Sequence, residues 1–111
     1  MFEDYLKSKE NEHTRVVKIG KGIYLLIEKY QIGTLYAVYI EEKSSDWLSE
    51  RNGFFNLMRK KGWVLRKSGA YWSLFGIRTL LELSGLWSKV DERKWEAVRL
   101  IENLMGERND L

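Results

Sequence analysis

The chain has 111 residues, 44% apolar and 32% charged, and its 19 Lys and Arg against 16 Asp and Glu leave a net charge of +3. That is the length of one domain, spanning residues 1–111, with the make-up of a soluble globular protein. It has no cysteine and a single histidine, which excludes disulfides, thiol nucleophiles and the common zinc sites.

In chain order, residues 2–12 are polar with Phe2, Tyr5 and Leu6 at helical spacing, and read as a short helix or a docked arm. The segment MFEDYLKSKENEH lacks the apolar stretch of a signal peptide. Three strands are predicted next. They are Thr14–Ile19, closed by Gly20-Lys21-Gly22, then Ile23–Tyr30, then Thr34–Glu42 after Gln31-Ile32-Gly33. A three-residue connection would pair Tyr30 with Thr34, Leu26 with Val38 and Leu25 with Tyr39. In the third strand Leu35, Ala37 and Tyr39 share one face while Tyr36, Val38 and Ile40 share the other. Both faces are apolar, so cover is expected on both sides.

Ser44-Ser45-Asp46 reads as a helix start. Trp47, Leu48, Phe54, Phe55 and Met58 follow at one-face helical spacing. Arg59, Lys60 and Lys61 suit the end of the helix dipole, and Gly62 suits its cap. On that account the basic triplet does no more than compensate the dipole. Trp63–Lys67 alternates like a fourth strand, and Ser68-Gly69 signals a turn. Ala70–Phe75 then returns as a fifth strand, or a helix starts near Tyr71 or Ser73, runs to Leu83 and stops at Gly85. In either case Tyr71 and Phe75, four apart, are expected on one face. The helix adds Arg78 to them; the hairpin puts Arg66 opposite Tyr71. Ser88 to Asp91 resembles a capping box, and a final helix is predicted over about Lys89–Met105, with the tail ERNDL frayed. The fold class expected is α+β: an antiparallel sheet of three to five strands, about three helices, and a long C-terminal helix.

Catalytic chemistry finds little purchase. His13 sits in a polar run and reads as solvated. Glu41 with Glu42 and Asp91 with Glu92 are acids at element ends, the first pair being a remote metal candidate. No Gly-rich phosphate loop is present. A non-enzyme without cofactor or metal is expected.

The unusual stretch is Arg59–Arg78, RKKGWVLRKSGAYWSLFGIR. It holds six basic residues, no acid and four large rings. Residues 1–58 carry eight basic and nine acidic side chains, and residues 79–111 five and seven. The whole positive excess therefore lies in this segment. Cations meet phosphates and flat rings meet unstacked bases, which is what a single-stranded nucleic acid requires. The candidate binding residues are Lys60, Lys61, Trp63, Arg66, Lys67, Tyr71, Trp72, Phe75 and Arg78. The competing account puts Trp63, Trp72 and Leu74 in the core and leaves the cations in water. Arg66 and Arg78 are favoured to face a ligand, because guanidinium both pairs with phosphate and stacks on rings. Three or four phosphate contacts would give a salt slope of about −2 to −3. A charge of only +3 favours a homodimer or higher homo-oligomer, joined through the sheet or the C-terminal helix.

With VVKIGKGIYLLIEKY, TLYAVYIEE and KKGWVLRKSGAYWSLFGIR in this order, most of the chain resembles the archaeal ThermoDBP family of single-stranded-DNA-binding proteins. The resemblance implies base-unspecific binding of single strands, dimerisation and a C-terminal helix that tunes assembly. The Lys/Glu-rich, cysteine-free composition leans towards a thermophile, and the location expected is cytoplasmic, with no membrane partner. DNA and RNA stay open as ligands. Two other readings stand beside this one: a protein-interaction module, viral or regulatory, using an exposed aromatic surface, and a transcription factor for duplex DNA.

Overall fold

The computed structural model describes residues 2–43, 56–60 and 62–108 of the chain. Helix α1 (Phe2–Lys7) leads into strands β1 (Thr14–Gly20), β2 (Ile23–Tyr30) and β3 (Gly33–Lys43). Strands β4 (Asn56–Lys60) and β5 (Trp63–Tyr71), helix α2 (Leu74–Leu83), a 3₁₀ turn at Trp87–Lys89 and helix α3 (Glu92–Asn103) complete it. The fold is α+β. The sheet is antiparallel in the order β1-β2-β3-β5-β4.

The sheet separates two cores, as two-faced apolar strands require. On one side Ile19, Ile23, Leu25, Ile27, Tyr36 and Val38 pack under Leu74, Ile77 and Leu81 of α2 and Val98 of α3. On the other, Val16, Tyr24, Leu26, Ala37, Tyr39 and Leu65 meet Phe2 and Leu6 of α1. A six-residue helix is too short to persist alone; α1 is held by burial of Phe2 and Leu6, one turn apart. Burying each such side chain contributes about 1.5–3 kcal/mol.

Several expectations change. The β2–β3 register is one residue tighter than predicted: Tyr30 faces Gly33, Leu26 faces Ala37 and Leu25 faces Val38. The chain reverses over Gln31 and Ile32, and Gly33 already belongs to the ladder. The expected start of the central helix at Ser44-Ser45-Asp46, with Trp47, Leu48, Phe54 and Phe55, lies outside the described residues. Its expected end does not exist as helix: Asn56–Lys60 is a strand paired with β5. Gly62, at φ 81°, is the hairpin turn between them and not a helix cap. A partner strand gives these backbone groups their hydrogen bonds, and that long-range pairing overrides a local helical pattern.

Ser68-Gly69 is not a turn either. β5 runs through it unbroken, and Val38 faces Gly69 while Tyr39 faces Lys67, so Ser68 has no partner in the ladder. This is a β-bulge, which shifts the alternation by one. Beyond Tyr71 the helical alternative is the one realised. Ser73 caps α2 by accepting from the Gly76 N–H. At the other end Gly85 takes φ 75°. The Gly85 and Leu86 N–H groups donate to the Glu82 and Leu81 carbonyls, the paired closure of a Schellman motif. The last helix starts later than predicted, with Asp91 as its cap in place of the box at Ser88. The segment expected to fray is docked as far as Arg108, which exchanges backbone hydrogen bonds with Lys29 and Gln31 and pairs with Glu28 at 3.0 Å. Among the described residues no helix is long and apolar enough to cross a membrane.

Candidate nucleic-acid interface

The end of β4, β5 and the first turns of α2 carry the described part of the acid-free segment. Its four rings lie at the surface: Trp63 is 44% exposed, Tyr71 42%, Trp72 54% and Phe75 80%. The core expectation for Trp63 and Trp72 is thereby corrected. Interior space on both sides of the sheet is filled by aliphatic side chains and by Phe2, Tyr24, Tyr36, Tyr39 and Met105.

The rings do not form one cleft. Before the bulge, Trp63 and Lys67 fall on the α1 side, with Leu65 between them, and Arg66 on the side of α2 and α3. After the bulge, Tyr71 opposite Tyr36 lies on the α2 side. Trp72 turns to the far side and packs on Tyr30, ring centres 5.9 Å apart, with the Arg108 guanidinium also over Tyr30 at 5.2 Å. The strand ends between Tyr71 and Phe75, and the groove lined by Phe75 and Arg78 does not include Tyr71. The Tyr71 ring lies against Gly76, where an added Cβ would sit 2.9 Å from the ring. At about 100° per residue, Gly76 and Arg78 point to roughly opposite flanks of α2.

Phe75 and Arg78 line a groove between α2 and α3 instead. Leu74, Trp95, Glu96 and Arg99 complete it, and its volume is about 340 Å³. Beside it the Arg78 guanidinium stands 4.4 Å over the Trp87 ring, and Trp87 meets Trp95 edge-on at 5.2 Å. Arg78 also donates to Glu82 at 2.9 Å on an exposed helix face. Such a pair is worth only about 0.3–0.5 kcal/mol, so a phosphate can replace it at little cost. Arg66 is paired with Glu42 at 2.9 Å, and its Nε is buried with no hydrogen-bond partner among the described residues. Lys67 is exposed. Lys60 belongs to β4 beside Trp63, and Lys61 lies outside the described residues.

The carboxylates serve structure. Glu41 accepts from the Tyr24 hydroxyl at 3.0 Å and Glu42 takes Arg66, so strand alternation sends the neighbours to opposite faces. Burial first, and the Glu41 hydrogen bond second, push the Tyr24 phenol well above its ordinary value. Tyr36 is pushed up in the same way by burial and by its hydrogen bond to Glu102. Among the described residues no group of three or more His, Asp and Glu is placed to hold a metal ion. His13 is half-buried, not solvated, and its Nδ1 is buried with no hydrogen-bond partner among the described residues.

The basic residues outside the segment escaped notice in sequence. Lys18, Lys21 and Lys89 line a concavity of about 640 Å³ together with Gly22, Glu41 and Trp63. They come from β1, the β1–β2 turn and the 3₁₀ turn. Lys94 of α3 lies close by, lining an adjoining hollow with the same three lysines and Asp91. Lys18 and Lys21 lie far from Lys89 and Lys94 in sequence, so only folding collects them.

In comparisons with known proteins, no family model, no curated protein and no solved structure matches the chain.

Proposed function

We propose that the chain binds single-stranded DNA without sequence preference, stacking bases on Tyr71 and Phe75 and meeting phosphates with Arg78 and Arg99 on the α2 side of the sheet. The observation that carries this reading is the exposure of all four rings of the acid-free segment, 42–80%, in a domain whose two cores are filled without them. Each stacked base is worth about 1–3 kcal/mol on such a ring. On this reading the chain acts as the ThermoDBP-like single-strand binders do. Titration of tryptophan fluorescence with oligo-dT at two salt concentrations tests it. Quenching, with weaker binding at higher salt, is expected. Absence of binding at low salt rejects the proposal, and equal competition by duplex of the same length transfers it to duplex recognition.

Self-association belongs to the same proposal. Leu100 of α3 and Leu104 at its C-cap are exposed one turn apart, while Val98 of the helix and Met105 just beyond it are buried in the α2 and α3 core. A second copy covering this pair would double the contacts available to one strand. The same leucines favour the second reading, a protein-interaction module. Salt-insensitive capture of a protein partner, lost in Leu100→Gln/Leu104→Gln, would select it.

A further inference from the structure

We infer that the concavity bounded by Lys18, Lys21, Lys89 and Trp63 is a second nucleotide-binding pole, in which each of the three ammonium groups takes a backbone phosphate and the indole takes a base. This inference rests on the single-strand reading and extends it to residues that lie outside the basic segment.

Three elements are locked together to make the pole. Gly20 pairs with Val90 in an isolated bridge, and the Asp91 N–H donates to the Ile19 carbonyl at 2.7 Å. An added Cβ on Gly20 would lie 2.3 Å from the Lys89 carbonyl oxygen, so the 3₁₀ turn sits directly on the end of β1. That contact brings Lys89 beside Lys18 and Lys21. All three lysines are exposed along with the Trp63 ring, and the concavity they line measures about 640 Å³.

The charges favour an anion. Against Lys18, Lys21 and Lys89 stands the carboxylate of Glu41, which accepts the Tyr24 hydroxyl. The next hollow adds Lys94 and Asp91, and Asp91 is occupied in capping α3, accepting from the Arg93 N–H at 3.0 Å. An ammonium group binds phosphate as a point charge without demanding a fixed geometry. An exposed indole offers the stacking plane that every base can use. β5 separates this pole from Tyr71 by eight residues, about 26 Å at strand rise. A strand long enough to span that distance engages both poles, and a short one engages a single pole.

The test compares the intact chain with Lys18→Gln/Lys21→Gln/Lys89→Gln, whose exposed substitutions leave both cores untouched. Affinity for long oligo-dT is measured across a salt series, and the Trp63 indole N–H signal, assigned through Trp63→Phe, is followed during titration. Loss of three single-strand phosphate contacts should make the salt slope shallower by about 2, and the Trp63 signal should shift in the intact chain. If the intact chain binds but the variant keeps its affinity and slope, the second pole is overturned and the single-strand reading stands. If the intact chain binds no oligonucleotide, the single-strand reading falls and the pole with it.

Discussion

Phe75 projects from the first turn of α2 with four-fifths of its surface in solvent, although Leu74 beside it is buried. Removing its ring takes nothing from either core. Phe75→Ala should therefore leave the melting temperature nearly unchanged while weakening oligo-dT binding by about 1–3 kcal/mol, a difference that fluorescence anisotropy and circular dichroism separate. Tyr71 is different, because its ring rests on Gly76. There a methyl group would meet the Tyr71 Cβ and the near edge of the ring and not a flexible side-chain end, so Gly76→Ala would shift Tyr71 bodily. Glu102 sits at the end of α3 and accepts from Thr34 at 2.8 Å and from the buried Tyr36 hydroxyl. Glu102→Ala strands that hydroxyl. It should cost about 1–3 kcal/mol, read as a lower denaturant midpoint.

Elements meet here through a few close approaches. The 3₁₀ turn lies on β1 because Gly20 has no side chain. Gly20→Ala forces a carbon into a backbone carbonyl that cannot rotate away. It should destabilise the fold by about 1–3 kcal/mol and weaken the Lys18–Lys89 juxtaposition together with it, visible as a lowered melting temperature and a shallower salt slope. The bulge at Ser68 acts along β5 in another way. By leaving one residue unpaired it sends Trp63 and Lys67 to the α1 side and Tyr71 to the α2 side. Strand periodicity read without the bulge would have put all three on one face.

Across the whole molecule, buried phenols link stability to alkaline pH. Tyr24, Tyr36 and Tyr39 are all raised, with burial the first cause in each. The unfolded chain gives up these protons near pH ~10, before the folded chain does. The stability they contribute is fully present below that value and is lost as pH rises through the higher folded values. Unfolding followed by circular dichroism should begin above pH ~10, with phenolate absorbance rising in step. Sedimentation of the intact chain and of Leu100→Gln/Leu104→Gln should show a dimer in the first and a monomer in the second.

The three-stranded meander, the apolar character of both its faces and the stop of α2 at Gly85 were legible from residue order alone. Each depends on alternation or on a glycine conformation, which are properties of neighbours in the chain. The ring-rich, acid-free composition of residues 59–78 was equally plain. Where those side chains point was not. The one-residue register of β2 and β3, the pairing of Asn56–Lys60 as a strand and the inversion at Ser68 all depend on a partner strand elsewhere in the chain. The gathering of Lys18, Lys21 and Lys89 around Trp63 depends on a turn far along the sequence being pressed onto the end of β1. Local pattern specifies which face of an element is apolar; only the closure of distant backbone onto backbone decides which charges and rings come to stand together.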